Sequence, residues 1–186
     1  MATTADFRNG MGIILDKELY TIVEFLHVKP GKGGAFVRTK LKGVVSNKVI
    51  DKTFRAGERV EEARIERHAM QYLYASGDIY YMMDPSTYEQ VPVSKDIIRG
   101  AVKYLKEGMT LNVLTHDDAP IAIELPFFVE LSVKATDPGV RGDTATGGTK
   151  PATLETGAVV QVPLFVNVGD TLRIDTRKNE YIERVT

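Results

Sequence analysis

The sequence predicts an all-β protein made of three small barrels, and three observations carry that expectation. Short runs rich in β-branched and aromatic residues recur along the whole 186-residue chain at about 8–12-residue spacing. Glycine, proline, asparagine and aspartate punctuate them, as turns require. Runs of helical period long enough for a layered α/β architecture are missing. The length suits three domains of roughly sixty residues, a size at which small domains still fold alone. The block boundaries fall at residues 1–63, 64–127 and 128–186. Three such bodies in a row predict an elongated rod or L, roughly 80 Å long.

In the first block the strand runs are residues 13–15, 19–28, 36–41 (the same character continuing to 45) and 48–54. Turns fall at Asp16-Lys17, at residues 30–34 and at Ser46-Asn47, and Ala56-Gly57-Glu58 closes the block. The second block runs through residues 65–74, turns at Ser76-Gly77-Asp78 and returns over 79–83. Asp84-Pro85-Ser86 and Pro92 then interrupt it. Ser94 is placed to cap a short helical turn that Gly100 limits. Residues 111–115 and 121–125 flank a turn over 116–120. The third block has strand runs at 128–133, 159–166, 171–175 and 181–185, with a long polar, glycine-rich stretch over residues 136–150.

Composition narrows the chemistry. The chain contains no cysteine, which excludes disulfides, thiolate catalysis and Cys-ligated metal, and fits a reducing cytoplasm. The opening residues lack a signal-peptide pattern, and no apolar run approaches the ~18 residues of a membrane span. A soluble cytoplasmic protein without membrane contact is expected. His27, His68 and His116 are scattered outside any metal spacing, so no metal site is expected. His27 and His68 lie in strand runs and read as partly buried structural residues, and His116 reads as a turn residue. No nucleophile elbow is present, and the string Pro30-Gly31-Lys32-Gly33-Gly34 lacks both the leading glycine and the hydroxyl residue of a phosphate-binding loop. Neither an enzyme nor a bound cofactor is expected.

The net charge of −1 conceals an asymmetry. Residues 29–59 hold nine basic side chains (Lys29, Lys32, Arg38, Lys40, Lys42, Lys48, Lys52, Arg55 and Arg59) against Asp51 and Glu58, a net of +7. One basic end suits contact with phosphate at that end alone, and Lys29, Arg38, Lys40, Lys42 and Arg55 are the candidate RNA contacts. Within this stretch Val28-Lys29-Pro30-Gly31-Lys32-Gly33-Gly34-Ala35-Phe36-Val37 joins two strand runs as a glycine-rich hairpin tip. Glycine removes bulk and permits φ > 0, so Gly31, Gly33 and Gly34 leave Lys32 alone at the end, able to enter a narrow space. Tyr72, Tyr74, Tyr80 and Tyr81 alternate or cluster as strand core would, so base stacking on them is the weaker reading.

The hairpin, the string Asp51-Lys52-Thr53-Phe54-Arg55-Ala56-Gly57-Glu58, and Met70-Gln71-Tyr72-Leu73-Tyr74 together resemble the bacterial elongation factor P family. The likeness is strongest in Pro138-Gly139-Val140-Arg141-Gly142-Asp143, in Lys150-Pro151-Ala152-Thr153-Leu154-Glu155 and the residues after it to Phe165, and in Asp175-Thr176-Arg177. The resemblance implies an L-shaped molecule with an N-terminal SH3-like, KOW-type barrel followed by two OB-folds. It also implies a protein that binds the bacterial ribosome beside peptidyl-tRNA and ribosomal RNA, without enzymatic activity, and relieves stalling at consecutive prolines; entry into the ribosome favours a monomer. Lys32 matches a tip position that many members carry as a modified lysine, which would require a modifying enzyme. Gly142, Asp143, Thr144, Gly147 and Gly148 match the third-domain loop near the small subunit and the exit-site codon. A paralogue of different stalling specificity and a general OB-fold RNA-binding protein are the competing readings.

Overall fold

The computed structural model describes residues 1–138 and 148–185, and three antiparallel-rich sheets account for them. The first has the order β1-β6-β2-β3-β4-β5. Its strands are β1 (Ala2–Thr3), β2 (Gly12–Leu15), β3 (Glu18–Val28), β4 (Phe36–Gly43), β5 (Val49–Arg55) and β6 (Arg59–Ala63). The second has the order β11-β10-β7-β8-β9. It comprises β7 (Ile65–Ser76), β8 (Ile79–Met83), β9 (Gln90–Ser94), β10 (Thr110–His116) and β11 (Ala119–Glu124). The third has the order β14-β13-β12-β15-β16, from β12 (Phe128–Thr136), β13 (Thr149–Leu154), β14 (Val159–Pro163), β15 (Thr171–Asp175) and β16 (Glu180–Val185). Its edge strands β14 and β16 lie side by side, so this sheet curls toward closure. The chain forms two compact units, Met1–His68 with Val113–Ala122 and Ala69–Asn112 with Ile123–Thr186.

Side-chain alternation sets the faces of the first sheet. On β4, Val37, Thr39, Leu41 and Gly43 point inward and Arg38, Lys40 and Lys42 outward. Val37 and Leu41 join Phe7, Met11, Ile13, Ile22, Phe54 and Val60 in one core. Thr39 lies among them with its hydroxyl donating to the Lys52 carbonyl at 2.9 Å, so its burial leaves nothing unpaired. Gly12 is required by close approach, because a Cβ there would sit 2.4 Å from the Ala63 carbonyl across the β2–β6 pair.

Several elements depart from the sequence expectation. Pro92 lies inside β9, tolerated because β9 is an edge strand that needs no second set of backbone donors. Strand β13 takes in Thr149 and Lys150, the end of the stretch expected to be polar loop. Lys150 is buried there and its ammonium donates to the Asp137 carbonyl at 2.7 Å. Asp117 and Asp118 alone make the β10–β11 turn, both with positive φ, so Ala119-Pro120 open β11. Ser94 stands at the cap position of the helical turn Lys95–Ile98, but its side chain makes no capping bond. His27 is exposed rather than partly buried, because the outer half of β3 runs beyond the core; its ring meets Phe25 edge-on at 5.6 Å. His68 is half-buried beside Glu66, and His116 ends β10 with Nδ1 3.0 Å from the Arg64 carbonyl.

The third sheet carries a core of Val129, Leu131, Val133, Leu154, Val160, Val162, Leu172 and Ile174. Tyr104, from the 3-10 segment Arg99–Tyr104, is part of that core, and its hydroxyl donates to the Asn179 side-chain oxygen. Nearby, the Thr156 hydroxyl donates to the Lys103 carbonyl at 2.6 Å and Lys106 pairs with Glu155 at 2.9 Å. Asp175 is 4 % exposed and is gripped by both forks of the Arg177 guanidinium, at 2.6 and 3.0 Å. Chiefly through that pairing, its carboxyl titrates at about 2 instead of 3.8. A depressed folded-state value means the pair stabilises above the unfolded titration near 3.8 and loses that contribution as pH falls toward 2. Asp175→Asn is therefore expected to lower the melting temperature at pH 7 and to leave it near wild type at pH 2; equal losses at both would contradict the pairing.

Candidate nucleic-acid interface

The longest strand pair of the first sheet builds the site. Strands β3 and β4 run from Tyr20 opposite Gly43 to Val28 opposite Phe36, leaving Lys29 to Ala35 as the connecting tip. Residues 29–34 are all exposed, and the Lys32 ammonium meets no partner among the described residues. Of the three tip glycines only Gly33 takes a left-handed conformation, at φ +105°. Gly31 and Gly34 contribute open space instead, with no heavy atom within 4 Å of where a Cβ would stand. Lysine is thus presented on a bare backbone.

Behind the tip the outer face of β4 carries Arg38, Lys40 and Lys42 in one row, and Arg55 lies on β5 opposite Phe36. The Arg38 guanidinium sits 5.6 Å over the Phe36 ring. Register divides these cations. Lys40 faces Glu24 on β3 and Asp51 on β5, and its ammonium is 3.0 Å from the Glu24 carboxylate, which raises its pKa. Arg38 faces Leu26 and Thr53, and Lys42 faces Thr21 and Val49, so neither has an acidic cross-strand neighbour. The linear charge count therefore overstates Lys40.

Sequence reasoning missed what lies between the cations. A bulge at Val23 leaves that residue 47 % exposed, and Leu26 and Val49, opposite Arg38 and Lys42 across the strands, are exposed as well. The face is a mixed strip in which apolar side chains separate the charges. Its sequence signal is the loss of strict alternation between Ile22 and Glu24. In the central sheet, Tyr72 and Tyr80 are buried as expected. Tyr74, expected as core with them, is instead exposed on the opposite face of the strand, where it stacks on half-buried Tyr81 at 4.8 Å. Of the third-domain loop, Gly148 is half-buried just before β13, whereas Gly142, Asp143, Thr144 and Gly147 lie outside the described residues. Among the described residues no cluster of three potential metal ligands occurs, and no helix is long and apolar enough to cross a membrane.

A six-stranded sheet bearing the long hairpin, followed by two five-stranded sheets, fits a chain assembled from a KOW-like domain and OB domains. Family profiles match along the chain in that order: the elongation factor P KOW-like domain over residues 3–60, its OB domain over 65–123 and its C-terminal domain over 129–184. Elongation factor P of Thermoanaerobacter sp. (strain X514) is 58 % identical over 185 residues, covering 100 % of both chains. That of Moorella thermoacetica is 59 % identical over 184 residues, 99 % of this chain and 100 % of that one. Among solved structures, eukaryotic translation initiation factor 5A from Methanococcus jannaschii superposes with a TM-score of 0.47 at 26 % identity, covering 62 % of this chain and 85 % of that one. The chain belongs to the bacterial elongation factor P family, whose members are translation elongation factors.

Proposed function

We propose that this protein binds the bacterial ribosome beside peptidyl-tRNA and speeds peptide-bond formation when consecutive prolines stall it. The observation that carries the proposal is Lys32, exposed and without a partner among the described residues, at the end of a hairpin whose outer face carries Arg38, Lys40 and Lys42. Proline is a hindered secondary amine, and a nascent chain rich in it misplaces the reacting ester. A displacement of about 1 Å can cost ~10²-fold in rate, so restoring position is sufficient without proton transfer. The cations of β4 and β5 hold the acceptor arm through its phosphates, and Lys32 steadies its terminal nucleotides. Phosphate contacts fix register without reading sequence. Recognition of the stalled state then falls to shape and to the third-domain loop with Gly142, Asp143, Thr144, Gly147 and Gly148. The factor works as a cytoplasmic monomer of domains 1–63, 64–127 and 128–186, and Lys32 is the residue a modifying enzyme would act on.

The test is translation of a consecutive-proline reporter in a purified bacterial system lacking this factor. Addition of the native protein is expected to restore full-length product and to leave a proline-free reporter unchanged. No restoration of the proline reporter would overturn the proposal.

Register makes a finer prediction about salt. Releasing counterions from phosphates gives a slope of log affinity on log salt that steepens with each contact. Arg38→Ala and Lys42→Ala are each expected to reduce that slope by about 1 in ribosome binding. Lys40→Ala is expected to change it less, because Glu24 already pairs the ammonium. Equal effects of all three would show that the cross-strand pair does not persist in the complex.

A further inference from the structure

Among the described residues three turns share one backbone design. In each, an N–H donates four residues back to a carbonyl and its own residue adopts a left-handed conformation. Asn47 donates to Gly43 at 2.9 Å with φ +56°, and Asn179 to Asp175 at 2.9 Å with φ +59°. Tyr88 donates to Asp84 at 2.8 Å with φ +61°. Asparagine is among the few side chains at ease there, and a bulky aromatic is an outlier.

The turn around Tyr88 holds that conformation firmly. The Asp84 carboxylate accepts the N–H groups of Ser86 and Thr87 at 2.7 and 3.2 Å, and the Asp84 N–H donates to the Glu89 carbonyl at 3.0 Å. The ring receives nothing in return: it is 73 % exposed, with no aromatic or hydrogen-bonding partner among the described residues. The chain thus places a strained aromatic where its own two other turns place asparagine, and leaves it bare. Strain of this kind is retained where a side chain serves a site.

The surroundings identify the partner. The hairpin from Ile79 through Ser94 contains no Lys or Arg and two acids, Asp84 and Glu89. Such a tip repels phosphate and complements a basic protein surface. Pro92 lies directly opposite Tyr81 and Tyr81 opposite Tyr74, so an apolar row crosses the same hairpin on its outer side. We propose that Tyr88 is an anchor that seats the β8–β9 hairpin in an apolar pocket of a basic protein, which on the ribosome is a ribosomal protein and not RNA. This rests on the ribosome-binding reading given above.

The experiment measures binding of the full chain to purified bacterial ribosomes, with melting temperatures for each variant. Tyr88→Asn is expected to melt about 2 °C higher, as strain is relieved, yet to bind about tenfold more weakly or worse. Tyr88→Phe keeps the ring and is expected to bind nearly as the native chain does. Glu89→Lys distinguishes the partners, since it weakens binding to a basic protein and strengthens binding to RNA. Native-like affinity of Tyr88→Asn, or tighter binding by Glu89→Lys, overturns this inference and leaves the ribosome reading standing. Failure of the native chain to bind ribosomes overturns both.

Discussion

Lys32→Ala is expected to abolish rescue of a consecutive-proline reporter while leaving the folded protein unchanged. The side chain is exposed and unpartnered, so its removal takes no contact from the core and no hydrogen bond from the described structure. Its melting temperature should stay within about 2 °C of the native value, as for other surface substitutions free of special features. The loss falls instead on the reaction. If the tip holds the terminal nucleotides in register, its absence should return the proline step to its stalled rate, a drop on the order of 10²-fold. Single-turnover peptide formation on a ribosome paused at proline measures this directly. A variant that rescues as well as the native chain would move the functional element away from Lys32. One that fails to fold would show that the tip is structural. Lys32→Arg, which keeps the charge, is expected to retain part of the activity if charge alone is used.

Phe54→Ala is expected to have the largest effect on stability. Phe54 is 2 % exposed, opposes Val37 across β4–β5 and meets the Phe7 ring edge-on at 5.4 Å. Truncating a buried phenylalanine costs about 3–5 kcal/mol, a large part of the about 5–15 kcal/mol by which domains are stable. A fall in melting temperature of about 10 °C follows, and rescue should be lost although Lys32 is intact. Recovery of rescue on cooling would separate this variant from Lys32→Ala, which no temperature restores. A melting temperature unchanged by Phe54→Ala would mean that Phe7 and Val37 close the space between them.

Much of the site's outer strand was legible because β4 alternates cleanly. Val37, Leu41 and the cations between them announce a half-buried strand, and the glycines announce its turn. What escaped detection depended on position within a sheet. Pro92 reads as a break until β9 is known to be an edge, and Lys150 reads as loop until Asp137 is found to accept its ammonium. The site was legible in kind but not in electrostatics. Glu24 lies outside the basic stretch in sequence and reaches Lys40 only through strand register. Tyr88 was invisible for a related reason: nothing in Asp84-Pro85-Ser86-Thr87-Tyr88 states that its last residue must be left-handed.

The tyrosine at position 104 also bears on how the chain is made. It completes a core whose other walls, Leu131, Leu154, Leu172 and Ile174 among them, are encoded later. During synthesis at about 5–20 residues per second, its ring emerges several seconds before those walls exist. The newborn central strands must therefore display an unsatisfied ring until the last strands arrive to enclose it. Completion of this protein's final third is then also the event that finishes the fold of its middle.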